Sequence, residues 1–524
     1  MKVLVADPIS DVGVAIIRTR AEVDVKTGLK VDELKCIIGE YDGLVVRSQT
    51  QVTADIIREG KKLLVIGRAG VGVDNINVEE ATSCGVIVVN APTGNTISAT
   101  EHAFALMLAL ARHIPQANAK LKSGQWKRSD FMGTELKGKT LGIIGLGNIG
   151  SEVAKRALAF EMKLIGYDPF VSNEHASKIQ VELVSLEQIL KDSDFITLHV
   201  PMTSATKSMI GAKELALMKP TARIINTARG GLIDETTLAQ AVKEKKLGGA
   251  AIDVFPKEPV TEGPLFGIDN IIVTPHLGAS TMEAQDLAAS DVAYQIVSVF
   301  DGQPVRYCVN APMIPPDVAP VLAPFMKVAV MVGRLASQLV EGQVKSLLIK
   351  YEGEVSRYDT NAMKSAVLGG LLENISEERV NIVNAALVAS KRGISVLEQK
   401  EPSCENYSSL ITVQVTTSTG TTIAAGTLLR GELHIVRVNN YWIDFLPSGF
   451  YLLFIDHTDR PGLIGAVGKA IGDVDINISA MYVRRLKPRG PAMMILTVDD
   501  LLPDEGVKAI TSIPDVCSVK QVKL

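Results

Sequence analysis

Short apolar runs separated by helical segments are the feature that most constrains how this 524-residue chain can fold. A first series of runs lies before residue 95, and a second lies between about residues 138 and 276. The runs are nearly continuous in apolar residues, which is typical of parallel strands covered on both faces. The alternation predicts an α/β fold with two parallel sheets, the second of them doubly wound. The runs are VLVAD, AEVDVKT, GLVVRS, LLVIGRAG and VIVVNAP, then TLGIIGLG, MKLIGYD, DFITLHV, ARIINTA, GGAAIDV and NIIVTPH.

Two apolar helices are predicted to connect these sheets. One begins at Asn95 or Thr96, ends near Arg112 and leads out of the first lobe. The other spans residues 281–301 and could carry the chain back, which would make the first lobe discontinuous in sequence. The expected limits are 1–97 with 285–308 for the first lobe and 98–284 for the second.

The chain changes character at the proline-rich segment 309–324, which predicts a domain boundary. Helix-like segments are then followed by strand-like ones, so an α+β domain is expected over 309–447. From about residue 449 the order of elements reads strand, helix, strand, strand, helix, strand. A βαββαβ domain is therefore expected over 448–524.

The composition excludes several classes of protein. With 54 basic and 58 acidic residues, a formal net charge of −4 provides no broad positive field for nucleic acid. The five cysteines are far apart without a CxxC pair, so neither a disulfide framework nor a metal site is expected. The N-terminus lacks a secretory signal pattern. Ala103–Ala111, taken as the longest apolar stretch, is shorter than the roughly 20 residues of a membrane helix. A cytoplasmic protein is expected.

A glycine-rich turn predicts a dinucleotide site. Gly145, Gly147 and Gly150 form GLGNIG directly between the strand TLGIIG and a predicted helix, the context in which this motif carries meaning. The turn and the helix N-terminus would bind a pyrophosphate. Asp168 stands at the end of the next strand, where a carboxylate selects NAD over NADP by binding the ribose hydroxyls. The alternative for Asp168 is a cap of the strand before Pro169.

Three polar residues at or just beyond strand ends suggest the chemistry. Oxidation of a hydroxyl needs a base, which His276 could supply, with Glu258 orienting its ring. Arg229 could grip a carboxylate in two places. Taken singly, they could be a surface ion pair, a solvated charge and a structural histidine. Their coincidence with the dinucleotide motif favours an NAD-dependent dehydrogenase acting on a 2-hydroxy acid.

The strings GRAGVGVDN, GTELKGKTLGIIGLGNIG, INTARGGLIDE, AAIDVFPKEP and TPHLGAST resemble the D-isomer-specific 2-hydroxyacid dehydrogenases, particularly the phosphoglycerate-oxidising branch. The resemblance implies a Rossmann-like NAD domain, a flavodoxin-like substrate lobe and the same catalytic roles for Arg229, Glu258 and His276. It also implies contact of Asp253 with the nicotinamide carboxamide. The other NAD contacts it implies are Asn148, Ile149, Val200, Thr227, Ala228, Arg229, His276, Leu277, Gly278 and Ala279.

Substrate identity depends on the first lobe. Arg47 and Arg68 both follow strand-like runs and would present guanidinium groups to a substrate phosphate, although both could be solvated loop residues. The resemblance assigns them to the 3-phosphate of 3-phosphoglycerate, with Arg128 reaching from a neighbouring subunit. It assigns the substrate carboxylate to the backbone of Ala69, Gly70 and Val71.

The C-terminal segment HTDRPGLIGAVG resembles an ACT domain, a module that senses small molecules. The resemblance implies that His457, Asp459 and Asn477 contact L-serine at a domain pair and that the protein is a homo-oligomer, a dimer or tetramer. A structural dimerisation module without a ligand is the alternative. The 309–447 segment resembles the intervening regulatory domain, in which Lys391 and Arg392 could bind an anion or simply end a solvated helix.

Two rival functions stay open. One is a dehydrogenase for an unphosphorylated acid such as lactate or glycerate, against which Arg47, Arg68 and the long regulatory tail argue. The other is a non-enzymatic NAD sensor, which suits an amino-acid-sensing tail less well. The favoured expectation is oxidation of 3-phosphoglycerate as the first step of serine biosynthesis, under control by serine.

Overall fold

The computed structural model describes residues 1–303, 305–315, 317–376, 379–447 and 451–524. The described strands form four sheets, one after another along the chain. Two are the parallel sheets predicted from the sequence, and they are followed by a mixed sheet and an antiparallel sheet. The predicted α/β class with additional α+β domains is confirmed.

The first sheet has five parallel strands in the order β2–β1–β3–β4–β5. Its strand β3 is buried along its whole length, which explains the continuous apolar run in the sequence. The elements are β1 (Lys2–Val5), α1 (Asp11–Arg18), β2 (Glu22–Val25), α2 (Val31–Ile37), β3 (Gly43–Val46), α3 (Ala54–Glu59), β4 (Val65–Arg68), α4 (Val78–Ser83) and β5 (Ile87–Asn90).

The second sheet has seven parallel strands in the order β12–β11–β10–β9–β6–β7–β8. The strand order reverses between β6 and β9, and ligands bind at such a point beyond the carboxyl ends of the strands. The two-residue β8 was not predicted because it is too short to form a pattern. The elements are α5 (Thr96–Ala111), α6 (Ile114–Lys122), β6 (Thr140–Ile144), α7 (Asn148–Ala159), β7 (Lys163–Tyr167), α8 (Asn173–Lys178), β8 (Glu182–Leu183), α9 (Leu186–Asp192), β9 (Phe195–Leu198), α10 (Ala212–Leu217), β10 (Arg223–Asn226), α11 (Glu235–Lys243), β11 (Gly249–Ile252), β12 (Ile271–Val273) and α12 (Met282–Phe300).

The helices α5 and α12 have the predicted positions and connect the two sheets. α5 packs against α7 and the second sheet, whereas α12 packs against α1, β4 and β5 of the first. A Cβ atom on Gly13 would lie only 2.8 Å from Ala289, so the glycine permits the close approach of α1 to α12. The exact limits of the two lobes stay predictions.

The third sheet is mixed, with the order β14–β13–β15–β16–β17–β18. The expectation that helices precede strands in this region is wrong, because β13 lies between α13 and α14. In β13, half-buried and buried residues alternate, so polar and apolar side chains are mixed. For this reason the strand was not recognised in the sequence. The elements are α13 (Ala319–Leu339), β13 (Val344–Gly353), α14 (Asn361–Leu372), α15 (Ala385–Lys391), β14 (Ser395–Glu401), β15 (Ser409–Thr417), β16 (Thr421–Leu429), β17 (Glu432–Val438) and β18 (Tyr441–Phe445).

Helix α13 is longer than the apolar stretch singled out in the sequence. By length and composition alone, its 21 residues could span a membrane. Ten of its residues are buried, and eight of these, among them Val328, Val332 and Leu335, belong to the core that the helix shares with the third sheet. The core helix of a globular domain meets the same criteria.

The fourth sheet is antiparallel with the order β20–β21–β19–β22, and the predicted βαββαβ succession is present. One face packs on its own helices. The other face, including Leu452, Phe454 and Ile495, shares a core with α13 and Phe445 of the preceding unit. The expected boundary at 447/448 falls where one described range ends, and residue 448 lies outside the described residues. The elements are β19 (Tyr451–Thr458), α16 (Leu463–Gly472), β20 (Ile478–Arg485), β21 (Pro491–Val498), α17 (Asp504–Thr511) and β22 (Val516–Lys523).

A loop of the third unit contacts the first lobe at the end of that lobe away from the carboxyl ends of its strands. Arg379 donates to the carbonyl oxygen of Leu63 at 2.9 Å, and the Asn381 amide donates to that of Gly85 at 2.7 Å. The C-terminal half is therefore joined to the first lobe by direct hydrogen bonds.

Candidate active site

The turn between β6 and α7 requires glycine for two different reasons. Gly145 has a φ of +93°, and a Cβ atom there would lie 2.5 Å from the carbonyl oxygen of His199. A Cβ atom on Gly150 would collide with the carbonyl oxygen of Gly145. A Cβ atom on Gly147 would meet no atom of the described chain within 4 Å, so this residue borders open space. That space, in front of the N-terminus of a 12-residue helix, fits the pyrophosphate of a dinucleotide.

Asp168 follows β7 and faces the same turn. Its Oδ2 accepts the N–H of Leu146 and its Oδ1 accepts the N–H of Phe170, both at 2.9 Å. These bonds are those of a structural cap, the alternative that the sequence left open. Each carboxylate oxygen can still accept one further bond, so the cap and the predicted contact with ribose hydroxyls are compatible.

The other predicted NAD residues of the second lobe border the same end of the sheet. Asn148 and Ile149 begin α7, Val200 follows β9, and Thr227 and Ala228 follow β10. The hydroxyl oxygen of Thr227 is buried and has no hydrogen-bond partner within the described part of the chain. A buried hydroxyl without a partner is uncommon and fits a position that a ligand completes.

His276 and Glu258 form a direct pair. Nδ1 of His276 lies 2.7 Å from Glu258 Oε2 and donates to it, since a carboxylate only accepts. Glu258 Oε1 accepts the N–H of Phe255 at 2.9 Å. Burial raises the pKa of Glu258, but these two hydrogen bonds outweigh it and leave the pKa below its usual value. The pair therefore fixes the imidazole ring and leaves Nε2 of the half-exposed histidine for a ligand.

Arg229 lies between the two lobes. Its Nη1 donates to the carbonyl oxygen of Ala228 at 2.7 Å, and its Nε lies 3.4 Å from Asp74 of the first lobe. A Cβ atom on Gly72 would collide with its guanidinium, so the loop of the first lobe packs directly against it. The sequence did not single out Asp74.

Arg68 of the first lobe lies within the electrostatic range of both Arg229 and Arg47. Asp7 accepts the N–H of Arg47 at 2.6 Å and fixes the loop that carries it. Nε of Arg68 is buried and has no partner among the described residues. Burial, and next the charge of Arg229, lower the pKa of Arg68 to about 10, so it stays protonated at neutral pH. Three guanidinium groups with two nearby carboxylates, Asp7 and Asp74, leave an excess of positive charge that would suit an anionic ligand.

The backbone predicted to hold the substrate carboxylate is partly engaged. The N–H of Ala69 donates to Val46 and that of Gly70 to Arg68, both at 2.8 Å. In this conformation these two amides are therefore not available to a ligand. Of the three residues predicted to hold the substrate carboxylate, only Val71 stays a candidate through its N–H group. The guanidinium of Arg68 passes directly over Gly70, where any Cβ atom would collide with it.

A cavity borders Arg47, and one of its lining residues was not predicted from the sequence. It is lined by Arg47, Gly70, Asn95 and Ala279 among others. Oδ1 of Asn95 is buried without a hydrogen-bond partner in the described ranges, so it is a further candidate for ligand contact. In the sequence Asn95 was noted only as the start of a helix.

The contact of Asp253 with the nicotinamide stays a prediction. The Asp253 side chain is fully buried, and it accepts the N–H groups of Leu277 and Gly278 at 2.8 and 2.9 Å. Its carboxylate supports the turn after His276. The contacts of Leu277, Gly278 and Ala279 with NAD stay predictions.

Two predicted binding positions lie away from the cleft. Arg128 is exposed in a short 3-10 helix, Arg128–Phe131, between α6 and β6. Arg392 donates to the carbonyl oxygen of Ile375 at 3.1 Å and caps the end of α15 with Lys391 beside it. The second arrangement is that of a helix end, the alternative to an anion site.

The three residues predicted to contact serine are not together within one chain. Asp459 lies beyond the end of β19 near His457 and pairs with Arg485 at 2.8 Å. Asn477 precedes β20 and donates to Asp499 at 2.9 Å, at the opposite end of the sheet. Because β19 and β21 pair over eight residues, one chain cannot surround a single serine with all three. His457 is buried.

Three family models match successive parts of the chain. The NAD-binding domain of the D-isomer specific 2-hydroxyacid dehydrogenases matches residues 104–278. The D-3-phosphoglycerate dehydrogenase intervening domain matches residues 321–439, and the ACT domain matches residues 451–515.

Similar proteins extend over the whole chain. A D-3-phosphoglycerate dehydrogenase of Synechocystis is 48% identical and covers 100% of this chain and 95% of its own length. One of Methanocaldococcus jannaschii is 46% identical, with 100% of both chains covered. Among solved structures, the TT0316 protein of Thermus thermophilus has a TM-score of 0.55 at 31% identity, over 59% of this chain and 100% of its own. A D-lactate dehydrogenase of Aquifex aeolicus complexed with NAD and lactic acid has a TM-score of 0.52 at 27% identity, over 58% and 96%.

These matches agree with the glycine-rich turn, the His276–Glu258 pair and the four sheets. The predicted cofactor, NAD, and the predicted oxidoreductase class are confirmed. The chain belongs to the D-isomer-specific 2-hydroxyacid dehydrogenase family, in the branch of the NAD-dependent D-3-phosphoglycerate dehydrogenases that carry an intervening domain and an ACT domain.

Proposed function

We propose that the chain oxidises 3-phospho-D-glycerate to 3-phosphohydroxypyruvate with NAD, as the first step of the phosphorylated route to L-serine. The observation that carries this proposal is that Arg68 lies within the electrostatic range of both Arg47 and Arg229, and that Arg47 lines a cavity whose wall includes Ala279, three residues from His276. The substrate has a carboxylate at one end and a phosphate at the other, and both suit guanidinium donors. The names of the similar proteins support the same substrate.

The proposed chemistry follows from the His276–Glu258 pair and from Arg229. Nε2 of His276 accepts the proton of the C2 hydroxyl, while the C2 hydrogen leaves with its electron pair and C2 becomes a carbonyl carbon. NAD bound at the glycine-rich turn supplies the acceptor for that hydride. Glu258 holds the ring through Nδ1 and stabilises the imidazolium that forms. Arg229 orients the substrate carboxylate and polarises the adjacent C2 oxygen.

The first lobe would provide the substrate specificity. Arg68 has a buried Nε without a partner among the residues that the structure describes, and Arg47 lies on a loop fixed by Asp7. Both suit the 3-phosphate, and a lactate or glycerate molecule would leave these charges unpaired. An unpaired buried donor costs binding free energy, so unphosphorylated acids should be poor substrates.

L-serine is the proposed effector, bound where two ACT domains meet. The separation of Asn477 from His457 and Asp459 supports a site between two copies, in which one copy provides the first residue and the other provides the remaining two. Serine is the end product of the proposed route, so its binding would provide feedback inhibition.

A homo-oligomer, a dimer or tetramer, is part of the proposal. The segment between α5 and β6 exposes apolar side chains, including Trp126 at 78% and Met132 at 84% exposure. Exposed apolar side chains clustered in one segment are typical of subunit contacts. Arg128, in the same segment, would then reach a neighbouring active site. A cytoplasmic location is also proposed, and the five free cysteines suit it.

The test is NADH formation with 3-phosphoglycerate, D-lactate and D-glycerate, with and without L-serine. We expect turnover with 3-phosphoglycerate and its decrease on addition of serine. No turnover with any of the three would refute the enzymatic proposal. Faster turnover of an unphosphorylated acid would refute only the substrate, and turnover insensitive to serine would refute only the effector.

A further inference from the structure

His102 contacts the catalytic turn although it lies on a helix that the proposed reaction does not use. It belongs to α5, and its Nε2 lies 3.2 Å from Asp253 Oδ1 and 3.3 Å from Thr274 Oγ1. The Thr274 hydroxyl donates its hydrogen to Asp253, so it can only accept from His102. Nε2 therefore carries a proton, which faces Thr274 Oγ1 and Asp253 Oδ1. The His102 side chain is 18% exposed, so this contact is largely shielded from water.

Asp253 in turn holds the turn that carries His276. Its carboxylate accepts the Thr274 hydroxyl at 2.6 Å and the N–H groups of Leu277 and Gly278, and its carbonyl oxygen accepts the N–H of His276 at 2.8 Å. His276 has a φ of +54°, a conformation that residues other than glycine rarely adopt. Such backbone persists only where its surroundings enforce it.

The donors around Asp253 decide whether it can stay charged in a buried position. Burial raises the pKa of Asp253, but the hydrogen bond from His102, followed by that from Thr274, outweighs burial and leaves the pKa below its usual value. A buried carboxylate that lost donors would weaken its grip on the amides it holds. Among the contacts that keep Asp253 charged, the one with His102 has the largest effect. Through Asp253, this contact supports the turn that carries His276.

A second contact ties the same helix to the same turn. The hydroxyls of Ser98 and Thr281 are hydrogen-bonded at 2.6 Å. Asn95, Ser98 and His102 follow one another at helical spacing, so one face of α5 begins in the cleft and runs along residues 274–281. This alignment makes the helix a rigid support for the turn.

We propose that His102 is a positioning residue, which through Asp253 fixes the turn that aims His276 at the substrate. It does not touch the substrate, and the inference rests on the role proposed above for His276. A turn displaced by about 1 Å can lower turnover about a hundredfold without changing which groups are present.

The test compares His102→Leu, which removes the donor, with His102→Gln, whose amide can place an N–H near the position of Nε2. We expect His102→Leu to lower kcat about 10- to 100-fold while KM for 3-phosphoglycerate and NAD changes less than about threefold. His102→Gln should recover most of the lost kcat. The control is His434→Leu, which removes a similar His–Asp pair, 2.6 Å from Asp444, in the third unit and should leave kcat unchanged.

Several outcomes would overturn the inference. They are an unchanged kcat in His102→Leu, a rise in KM without a fall in kcat, and a failure of His102→Gln to recover activity. If the Leu variant does not fold, His102→Asn replaces it, because the shorter amide stays polar but does not reach Asp253; an unchanged kcat there would also overturn it. An inactive wild-type enzyme would instead refute the proposed function.

Discussion

Two glycines of the NAD turn should respond differently to the same added methyl group. Gly147→Ala places a Cβ atom where no atom of the described protein lies within 4 Å, whereas Gly150→Ala drives one into the carbonyl oxygen of Gly145. The first change therefore leaves the protein intact and obstructs only a ligand. The second must displace α7 from β6, which disturbs the protein and the ligand site together.

The magnitudes follow from these two environments. In Gly147→Ala, a pyrophosphate held away from the turn loses about one charge-assisted hydrogen bond, worth about 1.5 to 3 kcal/mol. The affinity for NADH should then fall about 10- to 100-fold. In Gly150→Ala, overpacking of about 1 to 3 kcal/mol adds to that loss. For a lobe of this size, the melting temperature should fall by about 2 to 12 °C.

The assay is titration of each purified variant with NADH, followed by fluorescence, together with a thermal melt. Gly465→Ala is the matched control, because this helical glycine of the ACT domain also has open space around it and lies outside the NAD site. Gly147→Ala binding NADH as tightly as wild type would refute the placement of the pyrophosphate at this turn. A Gly150→Ala variant with unchanged melting would refute the packing argument.

Three further predictions concern charged groups. Arg68→Ala should raise KM for 3-phosphoglycerate about 10- to 100-fold with kcat within a few-fold, because it removes a phosphate ligand; steady-state kinetics would measure this against Arg20→Ala, a surface arginine of the same lobe. Asp168→Asn should improve the ratio of NADP to NAD turnover about 10-fold or more, since it removes the charge that repels a 2′-phosphate; an unchanged ratio would contradict the assignment. Burial raises the pKa of Asp194, but the N–H of Thr140 and the charge of Lys219 outweigh it and leave the pKa lowered. Its stabilisation is thus complete above the unfolded pKa of about 3.9 and is lost as the pH falls through the lower folded value. Denaturant unfolding should show Asp194→Asn to be less stable than wild type at pH 7, with the difference disappearing near pH 2; a constant difference would argue against this charge effect.

The parallel sheets could be predicted because their sequence signal is local. A strand buried on both faces is apolar at nearly every position, as in Gly43–Val46, and each run ends where a turn begins. β13 was missed because its polar residues alternate with buried ones, and β8 because two residues form no pattern. α13 was underestimated because Pro324 interrupts its apolar stretch.

The candidate site was predictable where a residue type and a strand end coincide. His276, Glu258 and Arg229 each follow a strand, so their meeting could be expected from the sheet topology alone. Nothing in the sequence indicates that Asp253 is turned inward, because that depends on the left-handed backbone of His276 and on a helix more than 150 residues earlier. Asn95 was not predicted to contact a ligand, because an asparagine before a helix usually serves as the cap of that helix.

The core shared by the third and fourth sheets has a consequence for synthesis of the chain on the ribosome. Leu322 in α13 and Val522 in β22 belong to one apolar cluster, so the helix cannot complete its packing until about two hundred further residues have been made. At about 5 to 20 residues per second, the packing of α13 would stay incomplete for about 10 to 40 s. The catalytic half, whose sheets close within the first 300 residues, can fold during that interval. The nascent C-terminal half is therefore where a chaperone would be needed.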